Sequence, residues 1–339
     1  MPQVVLPNQS NYKGEKPVGA DRPSPQLALG KEDEPQWLKD FQRDGYAVVK
    51  DVVSREKALN YYAPAGEDWL EGFKLGYNRD DPSTWDVKNL PRHIFGGLYG
   101  QYSFSHAQFV WDAKTEPKIV ELFESLWGTK ELTVSFDGGS LAVPLPFDQV
   151  QMNAEPWPHS DQSAYRPQRH CVQGLPNILP NGPDDGGLTV LKGSANLFEQ
   201  YFKEKMHLEP PEKWSTRDGF AWTEETLKWF YDRGCEWVKP VMEPGHFVIW
   251  DSRQVHYGAF PRKQNKRFAI YICYKPMAFL TEEQKARKIE AFNRGYVTTH
   301  DPCDFIVKSY QDAELNINFP YGKPVVNEQG QKAIGLILY

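Results

Sequence analysis

The chain has 339 residues, a formal net charge of −6 and 40% hydrophobic residues, which is the composition of a globular protein. The acidic balance argues against nucleic acid or an anionic membrane surface as the partner. No apolar run reaches the roughly 18 residues that a membrane span needs.

The cysteines and the N-terminal residues bear on the cellular compartment. The four cysteines are widely separated, with no Cys-x-x-Cys pair, which argues against a thiolate zinc site. The first residues lack the apolar core of a secretory signal. We therefore expect reduced thiols and a cytoplasmic protein, while no pattern in the chain indicates its oligomeric state.

The first part of the chain is predicted to be helical. Residues 1–30 are rich in Pro, Gly and Lys and are interpreted as an N-terminal arm that is flexible or wraps the protein. Apolar residues at helical spacing predict a helix over 35–45 that ends at Gly45. A short strand follows, and a second clear helix is predicted between Pro117 and Gly128.

After about residue 130 the pattern changes to short β-rich runs separated by Gly and Pro, which predicts an all-β sandwich or barrel. Helical stretches interrupt the strands, with potential N-caps at Ser194, Thr223 and Thr281. The fold prediction is a mainly β protein with flanking helices. Residues 31–339 are predicted to form one domain with a helical insertion at about 194–237.

The sequence Pro-Trp-Pro-His-Ser-Asp contains two metal-binding residue types, His159 and Asp161, one residue apart. On an extended backbone, side chains two positions apart face the same side and can converge on one ion. His256, after a strongly apolar strand, is the candidate for a third ligand. Two histidines and one carboxylate form the facial triad of non-haem Fe(II) oxygenases, whose open positions take a bidentate co-substrate and O2.

Arg267 follows His256 by eleven residues, on the next predicted strand. A guanidinium group offers a rigid fork that suits a carboxylate. A dicarboxylate such as 2-oxoglutarate could therefore bind the metal with its keto acid and Arg267 with its far carboxylate. We expect the two strands to be antiparallel neighbours, with both residues on one inner face. Arg262 is a rival for this role.

Other interpretations of the same residues remain open. A single His-x-Asp pair is common by chance. Zinc in a hydrolase or isomerase also accepts the same ligands. Such an enzyme would need an additional carboxylate base, and Glu155 is the only one close to the pair in the sequence. A non-catalytic binding protein could also retain the ligands. His170 is the next candidate for the metal. The histidines without such a pairing are interpreted as structural: His93, His106, His170, His207, His246 and His300.

Residues around the predicted ligands could line a substrate pocket. Trp157, Tyr165 and Trp250 are candidates for its walls, although core packing explains aromatic residues equally well. Gln151 and Asn153 are candidates for polar anchors, and their alternative is ordinary polarity at a strand edge.

These segments together resemble the phytanoyl-CoA dioxygenase family of Fe(II)/2-oxoglutarate oxygenases, in particular its longer fungal-type members. The resemblance covers about residues 37–276 and includes the runs FQRDGYAVVKDVV, WPHSDQS, DGGLTVLKGSANLF, WDSRQVHYGAF and RFAIYICYKP. It implies a double-stranded β-helix, a cupin-like jelly roll. It also implies that His159, Asp161 and His256 hold iron and that Arg267 binds 2-oxoglutarate.

The resemblance also implies a reaction, in which O2 and 2-oxoglutarate are consumed and a C–H bond of a small molecule is hydroxylated or otherwise oxidised. Gly258 occupies a position where the family often has a serine that helps to hold 2-oxoglutarate. The absence of a CoA-binding glycine loop favours a natural product or an amino acid derivative as substrate. The segment Phe198–Trp237 is predicted to be a mobile cover over the pocket, with a fixed helical pair as the alternative.

Overall fold

The fold is a double-stranded β-helix, in which two five-stranded antiparallel sheets pack against each other. The computed structural model describes residues 16–17, 19–29, 34–146, 149, 156–205, 218–259, 261, 265–308 and 317–339. Along the first sheet the strands are β1 (Tyr46–Val49), β10 (Phe247–Asp251), β6 (Val172–Pro176), β13 (Ile272–Pro276) and β3 (Leu132–Val134). Along the second they are β8 (Phe220–Ala221), β5 (His159–Ser160), β11 (His256–Ala259), β7 (Gly187–Lys192) and β9 (Glu236–Val238).

A smaller three-stranded sheet completes the β structure. Its strands are β12 (Arg267–Ile270), β4 (Gly139–Ala142) and β2 (Leu98–Tyr99). The predicted mainly β fold with flanking helices, and the jelly roll implied by the resemblance, are therefore confirmed.

Most of the described helices pack on the first sheet or beside it. They are α1 (Gln36–Asp44), α2 (Arg55–Lys57), α3 (Ala63–Glu71), α4 (Gln108–Lys114), α5 (Pro117–Trp127), α8 (Glu282–Arg294) and α9 (Glu328–Ile334). Two further helices, α6 (Ser194–Lys205) and α7 (Glu224–Tyr231), lie between β7 and β9 in the chain. Within the described ranges, none of the helices is long and apolar enough to cross a membrane.

Because side chains alternate along β10, this one strand contributes to two hydrophobic clusters. Phe247 and Ile249 belong to the large cluster beneath the helices, whereas Val248 and Trp250 belong to the cluster between the two sheets. Successive residues of a strand point to opposite faces. Because both faces are covered, all five residues of β10 are buried.

The predicted helix ends agree with the structure at most positions. Gly45 and Gly128 end their helices in the left-handed conformation, with φ of 81° and 67°. Thr223 and Thr281 begin α7 and α8 with capping boxes. Ser194 differs from the prediction, because it is already helical and its hydroxyl accepts a hydrogen bond from the Val255 N–H at 2.9 Å.

The described part of the N-terminal arm wraps the protein. The Ala28 N–H donates to the Leu126 carbonyl at 2.9 Å, and the Arg22 guanidinium donates to Gln284 Oε1 at 3.1 Å. For residues 19–29, polar contacts with α5 and α8 favour the wrapped arrangement, and the predicted flexibility of the arm stays a prediction.

The helices α6 and α7 form a hydrophobic cluster of their own. Phe198, Tyr201 and Phe202 of α6 pack with Trp229 and Phe230 of α7. The flanking strands β7 and β9 pair directly, so the helices extend from a hairpin. This packing favours the fixed arrangement for the two helices, and the predicted mobile cover stays a prediction.

A buried ionic network holds the chain after β13 against the first sheet. Lys275 Nζ lies 3.0 Å from Asp301 Oδ2, and His170 Nε2 lies 2.9 Å from the same oxygen. Arg166 Nη1 lies 3.2 Å from Asp304 Oδ2. These groups are almost completely buried, and burying a charge costs free energy because the charge loses its contact with water. The attraction between the charged partners offsets this cost only while every partner is present.

Replacing Lys275 with Met should therefore destabilise the protein strongly. The substitution keeps the volume of the side chain but leaves the Asp301 carboxylate without its ammonium partner, which typically costs about 3–5 kcal/mol. Urea unfolding measures this loss. The matched control is Lys228→Met, which removes an exposed pair with Asp232 and should cost less than about 1 kcal/mol. Equal effects of the two substitutions would contradict a stabilising role for the network.

Candidate metal centre

The two histidines of the predicted triad are brought together by strand pairing. β5 and β11 are antiparallel neighbours, and their register places His256 directly opposite His159. The imidazole ring centroids lie 4.3 Å apart. Asp161 follows β5 immediately, so its carboxylate reaches the same point.

The ligand atoms of these three residues surround one position. Asp161 Oδ1 lies 3.6 Å from His159 Nε2, and Asp161 Oδ2 lies 3.3 Å from His256 Nε2. One ligand atom from each residue lies within 4.8 Å of the others. This spacing fits three ligands of a single metal ion, and the type of donor suits a transition metal.

Backbone carbonyls fix the orientation of both imidazoles. His159 Nδ1 lies 3.1 Å from the Trp157 carbonyl oxygen, and His256 Nδ1 lies 2.9 Å from the Gln254 carbonyl oxygen. A carbonyl only accepts, so Nδ1 carries the proton and the Nε2 lone pair of each ring points to the metal position. Gln173 Nε2 donates to Asp161 Oδ2 at 3.0 Å and orients the carboxylate.

The electrostatics of the site favour the protonation states that a metal needs. Burial and the neighbouring His256 lower the pKa of His159 to about 4, so its imidazole is neutral at pH 7. Burial alone would raise the pKa of Asp161, but the two nearby imidazoles hold it well below its usual value. A neutral imidazole and an ionised carboxylate bind metal without first losing a proton.

The triad opens into a cavity of about 560 Å³. Trp157 and Trp250 line the cavity, and their role in binding a substrate stays a prediction. Tyr165 was wrongly assigned to it, because Tyr165 packs against the hydrophobic cluster of α6 and α7 instead. Gln151 and Asn153 lie outside the described residues.

Arg267 also lines the cavity, but it does not lie on a strand next to β11. It begins β12, which pairs with β4 in the smaller sheet, so the predicted strand neighbourhood was wrong. In a jelly roll, consecutive strands cross between sheets, and Arg267 faces the site from another sheet. Arg262 lies outside the described residues.

The surroundings of Arg267 leave its guanidinium available to a ligand. Its Nε is buried and has no hydrogen-bond partner among the described residues. The group packs over Gly187, where an added Cβ would lie 2.5 Å from Nε. Tyr271 lines the same cavity, and the positive charge of Arg267 opposes the rise that burial causes in the pKa of its hydroxyl. A Cβ at Gly258 would meet no atom within 4 Å, so this wall is open.

His170, the alternative metal ligand, lies outside the cavity. It belongs to the buried ionic network, where its Nε2 lies 3.0 Å from Lys275 Nζ. Asp301 and Asp304 lie near enough to resemble a metal site. Lys275 and Arg166 already neutralise these carboxylates, which favours a structural role for the network and for His170.

Local sequence patterns did not indicate several residues of the site. His300 was interpreted as structural, but it lines the cavity together with Thr299, Lys308 and Asp137. Gln173, the partner of Asp161, was also missed. Thr299, His300 and Lys308 reach the site only through the tertiary fold, and no local pattern marks them.

Comparison with known proteins identifies the family of this chain. The sequence pattern of the phytanoyl-CoA dioxygenase (PhyH) family matches residues 41–267. Ava biosynthesis cluster protein O of Aspergillus versicolor is 38% identical over 280 residues, which cover 82% of this chain and 89% of the relative. The chain therefore belongs to the phytanoyl-CoA dioxygenase family.

Solved structures share the fold at much lower identity. The apo form of EctD from S. alaskensis is 15% identical, with a TM-score of 0.51, over 80% of this chain and 86% of that chain. The structure of EctD with bound Fe is 17% identical, with a TM-score of 0.50, over 76% of this chain and 85% of that chain. These comparisons support the fold and not the details of the site.

Replacing Asp161 with Ala should abolish metal binding. The substitution removes the single anionic ligand and leaves two imidazoles, so we expect the wild type to retain one divalent transition metal ion per chain and the variant none. Elemental analysis after anaerobic loading and gel filtration measures the bound metal. His246→Ala, which changes a histidine outside the cavity, should bind like the wild type. If Asp161→Ala or His256→Ala retained the metal fully, this result would contradict the assignment of the three metal ligands.

Proposed function

We propose that this protein is a non-haem Fe(II)- and 2-oxoglutarate-dependent dioxygenase that oxidises a C–H bond of a small molecule. One observation carries the proposal: two imidazoles with free Nε2 atoms and one carboxylate converge at a cavity that also contains the available guanidinium of Arg267. Membership of the phytanoyl-CoA dioxygenase family supports the same activity.

His159, Asp161 and His256 are the residues that would hold Fe(II). They offer two nitrogens and one oxygen from one side, which leaves the other coordination positions for ligands in the cavity. Bound Fe(II) would supply the activation of O2, coupled to the conversion of 2-oxoglutarate into succinate and CO2. The EctD structure with bound Fe supports iron as the metal.

The chain's own residues position the reactants. Arg267 would pair with the far carboxylate of 2-oxoglutarate, and the Tyr271 hydroxyl beside it would provide a second hydrogen bond. The hydrogen bond from Tyr271 would replace the one that a serine at position 258 would make, because Gly258 has no side chain. Gln173 keeps Asp161 in place, and the apolar walls limit the access of water to the reacting groups.

The substrate is proposed to be a natural product or an amino acid derivative, in keeping with secondary metabolism. The relative from Aspergillus versicolor is named for a biosynthesis cluster, which supports a role of this kind. A cavity of about 560 Å³ has room for a small molecule together with the co-substrate.

A metal-dependent hydrolase or isomerase is the weaker alternative. Such an enzyme needs a carboxylate base beside the metal, and the described carboxylates that line the cavity besides Asp161 are Asp137 and Asp218. Each forms an ion pair, with Lys308 at 3.1 Å and with Arg166 at 3.5 Å. A non-catalytic binding protein is also a weaker alternative, because it would need neither a complete set of metal ligands nor a separate guanidinium in the cavity.

Succinate formation in the presence of Fe(II), O2 and 2-oxoglutarate tests the proposed activity, and Arg267→Ala tests the anchor. Loss of one partner of a charge pair typically costs about 2–5 kcal/mol, so the apparent KM for 2-oxoglutarate should rise well over tenfold. Arg262→Ala is the control and should change the KM much less. The opposite ranking would assign the anchor to Arg262, and absence of succinate in the wild type would contradict the proposed activity.

Gly187→Ala should weaken 2-oxoglutarate binding without a change at Arg267 itself. At a φ of 130° the added Cβ is strained, and it would displace the guanidinium that lies 2.5 Å away. We expect the KM for 2-oxoglutarate to rise about tenfold while the iron affinity stays the same. Gly258→Ala adds a methyl group in open space of the same cavity and should change the KM less than about twofold. Similar effects of both substitutions would contradict the position assigned to the co-substrate.

A further inference from the structure

The residue between two of the proposed metal ligands is a buried serine. Ser160 separates His159 from Asp161, and successive side chains of a strand point to opposite faces. The two ligands face the cavity, so the Ser160 hydroxyl points to the other side of the sheet, where it is completely buried. A buried hydroxyl needs hydrogen-bond partners, and those of Ser160 show what holds β5 in place.

The strand β5 needs support from side chains because it is short. It contains two residues, and its register with β11 places His159 opposite His256. On its other side it pairs with the equally short β8, where Ala221 lies opposite His159. A strand of this length forms few backbone hydrogen bonds, so side-chain contacts contribute much to the position of His159.

The Ser160 hydroxyl joins β5 to the turn that precedes His256. Ser160 Oγ donates a hydrogen bond to the Arg253 carbonyl oxygen at 2.9 Å. Asp251 holds this turn, because its carboxylate accepts from the Arg253 N–H at 2.9 Å and from Arg253 Nη2 at 2.8 Å. Since His256 follows Arg253 closely in the chain, one hydroxyl connects the two segments that carry the histidine ligands.

Trp222 donates a hydrogen bond to the same hydroxyl. Trp222 Nε1 donates to Ser160 Oγ at 3.0 Å, and the Trp222 backbone N–H donates to the Pro158 carbonyl oxygen at 2.9 Å. These two bonds reach the residues on both sides of His159. Trp222 is only 4% exposed, so its bonds are shielded from bulk water. Indole, hydroxyl and carbonyl therefore form a continuous chain of hydrogen bonds from Trp222 to the turn before His256.

Trp222 belongs to the insertion between β7 and β9. It lies between β8 and α7, and its ring packs in the aromatic cluster of α6 and α7. The Tyr201 and Phe230 ring centroids lie 4.9 Å and 5.1 Å from its own. The insertion thus fixes the position of the indole, and the same indole is bonded to the strand that carries His159. A displacement of α6 and α7 would therefore be transmitted to the metal position.

We propose that Ser160 is a positioning residue of the metal centre and that Trp222 couples the insertion of α6 and α7 to this centre. The chain of hydrogen bonds would hold His159 and His256 at the separation that one metal ion needs, although neither Ser160 nor Trp222 lines the cavity. The inference rests on the proposed function for the presence of the metal. It gives the insertion a part in setting the geometry of the ligands.

Binding of Co(II) to the full-length protein tests the inference. Co(II) is the probe because its visible absorption changes with coordination geometry, and competition with a chromophoric chelator measures its dissociation constant. Ser160→Ala should raise this constant about tenfold and change the absorption spectrum, because the substitution removes the hydroxyl from the middle of the chain. Trp222→Phe, which keeps an aromatic ring and the Ser160 hydroxyl, should raise the constant roughly fivefold.

Two control variants remove comparable hydrogen bonds elsewhere. Ser103 is also buried, and its hydroxyl donates to the Gly295 carbonyl oxygen at 2.7 Å and accepts from the Phe319 N–H at 3.0 Å. Trp229 belongs to the aromatic cluster of α6 and α7, but its Nε1 donates to Glu204 Oε2 at 3.0 Å. Ser103→Ala and Trp229→Phe should leave the Co(II) affinity and absorption spectrum unchanged, whatever they cost in thermal stability.

The double variant Ser160→Ala/Trp222→Phe distinguishes one chain of hydrogen bonds from two separate contacts. If the indole acts through the hydroxyl, the double variant should bind Co(II) about as weakly as Ser160→Ala alone. Additive losses of affinity would contradict the coupling of Trp222 to the metal centre through Ser160.

Other results would overturn the inference as a whole. They are wild-type affinity and spectrum in Ser160→Ala, or equal losses of affinity in the test variants and their controls. If Ser160→Ala does not fold, Trp222→Phe decides, since it leaves the hydroxyl in place. A wild type that binds Co(II) but forms no succinate with Fe(II), O2 and 2-oxoglutarate would instead contradict the proposed function, and the Co(II) comparison would still decide the role of Ser160.

Discussion

The pairing of β5 with β11 is the constraint on which the site depends. Its register places His256 opposite His159, and the chain direction after β5 brings Asp161 to the same point. A shift of one residue would turn a histidine to the other face of the sheet. The two sheets, their shared core and the helices behind them fix this register, so the whole jelly roll contributes to the position of three side chains.

Preorganisation extends beyond the ligands. The carbonyls of Trp157 and Gln254 and the amide of Gln173 set the orientation of the ligand atoms before any metal binds. A second buried polar assembly, around Lys275 and Asp301, ties the chain after β13 to the sheet that carries Gln173. The ionic network therefore links the stability of the fold to the shape of the cavity wall.

The local patterns of the sequence predicted the parts of the structure that are themselves local. Helix ends at Gly45, Gly128, Thr223 and Thr281 follow from capping chemistry, and His159 and Asp161 share a face because they are two residues apart. What depends on tertiary structure was not predictable in this way. Arg267 was expected on a strand beside His256 but reaches the cavity from another sheet, and His300 enters it through contacts of Asp301 with residues distant in sequence.

The most direct test of iron and 2-oxoglutarate at this site is anaerobic absorption spectroscopy of the wild-type protein. A 2-oxo acid chelated to Fe(II) gives a visible charge-transfer band that neither component gives alone. We expect the band to grow until one Fe(II) and one 2-oxoglutarate are bound per chain. Binding of both components without the band would contradict chelation at His159, Asp161 and His256.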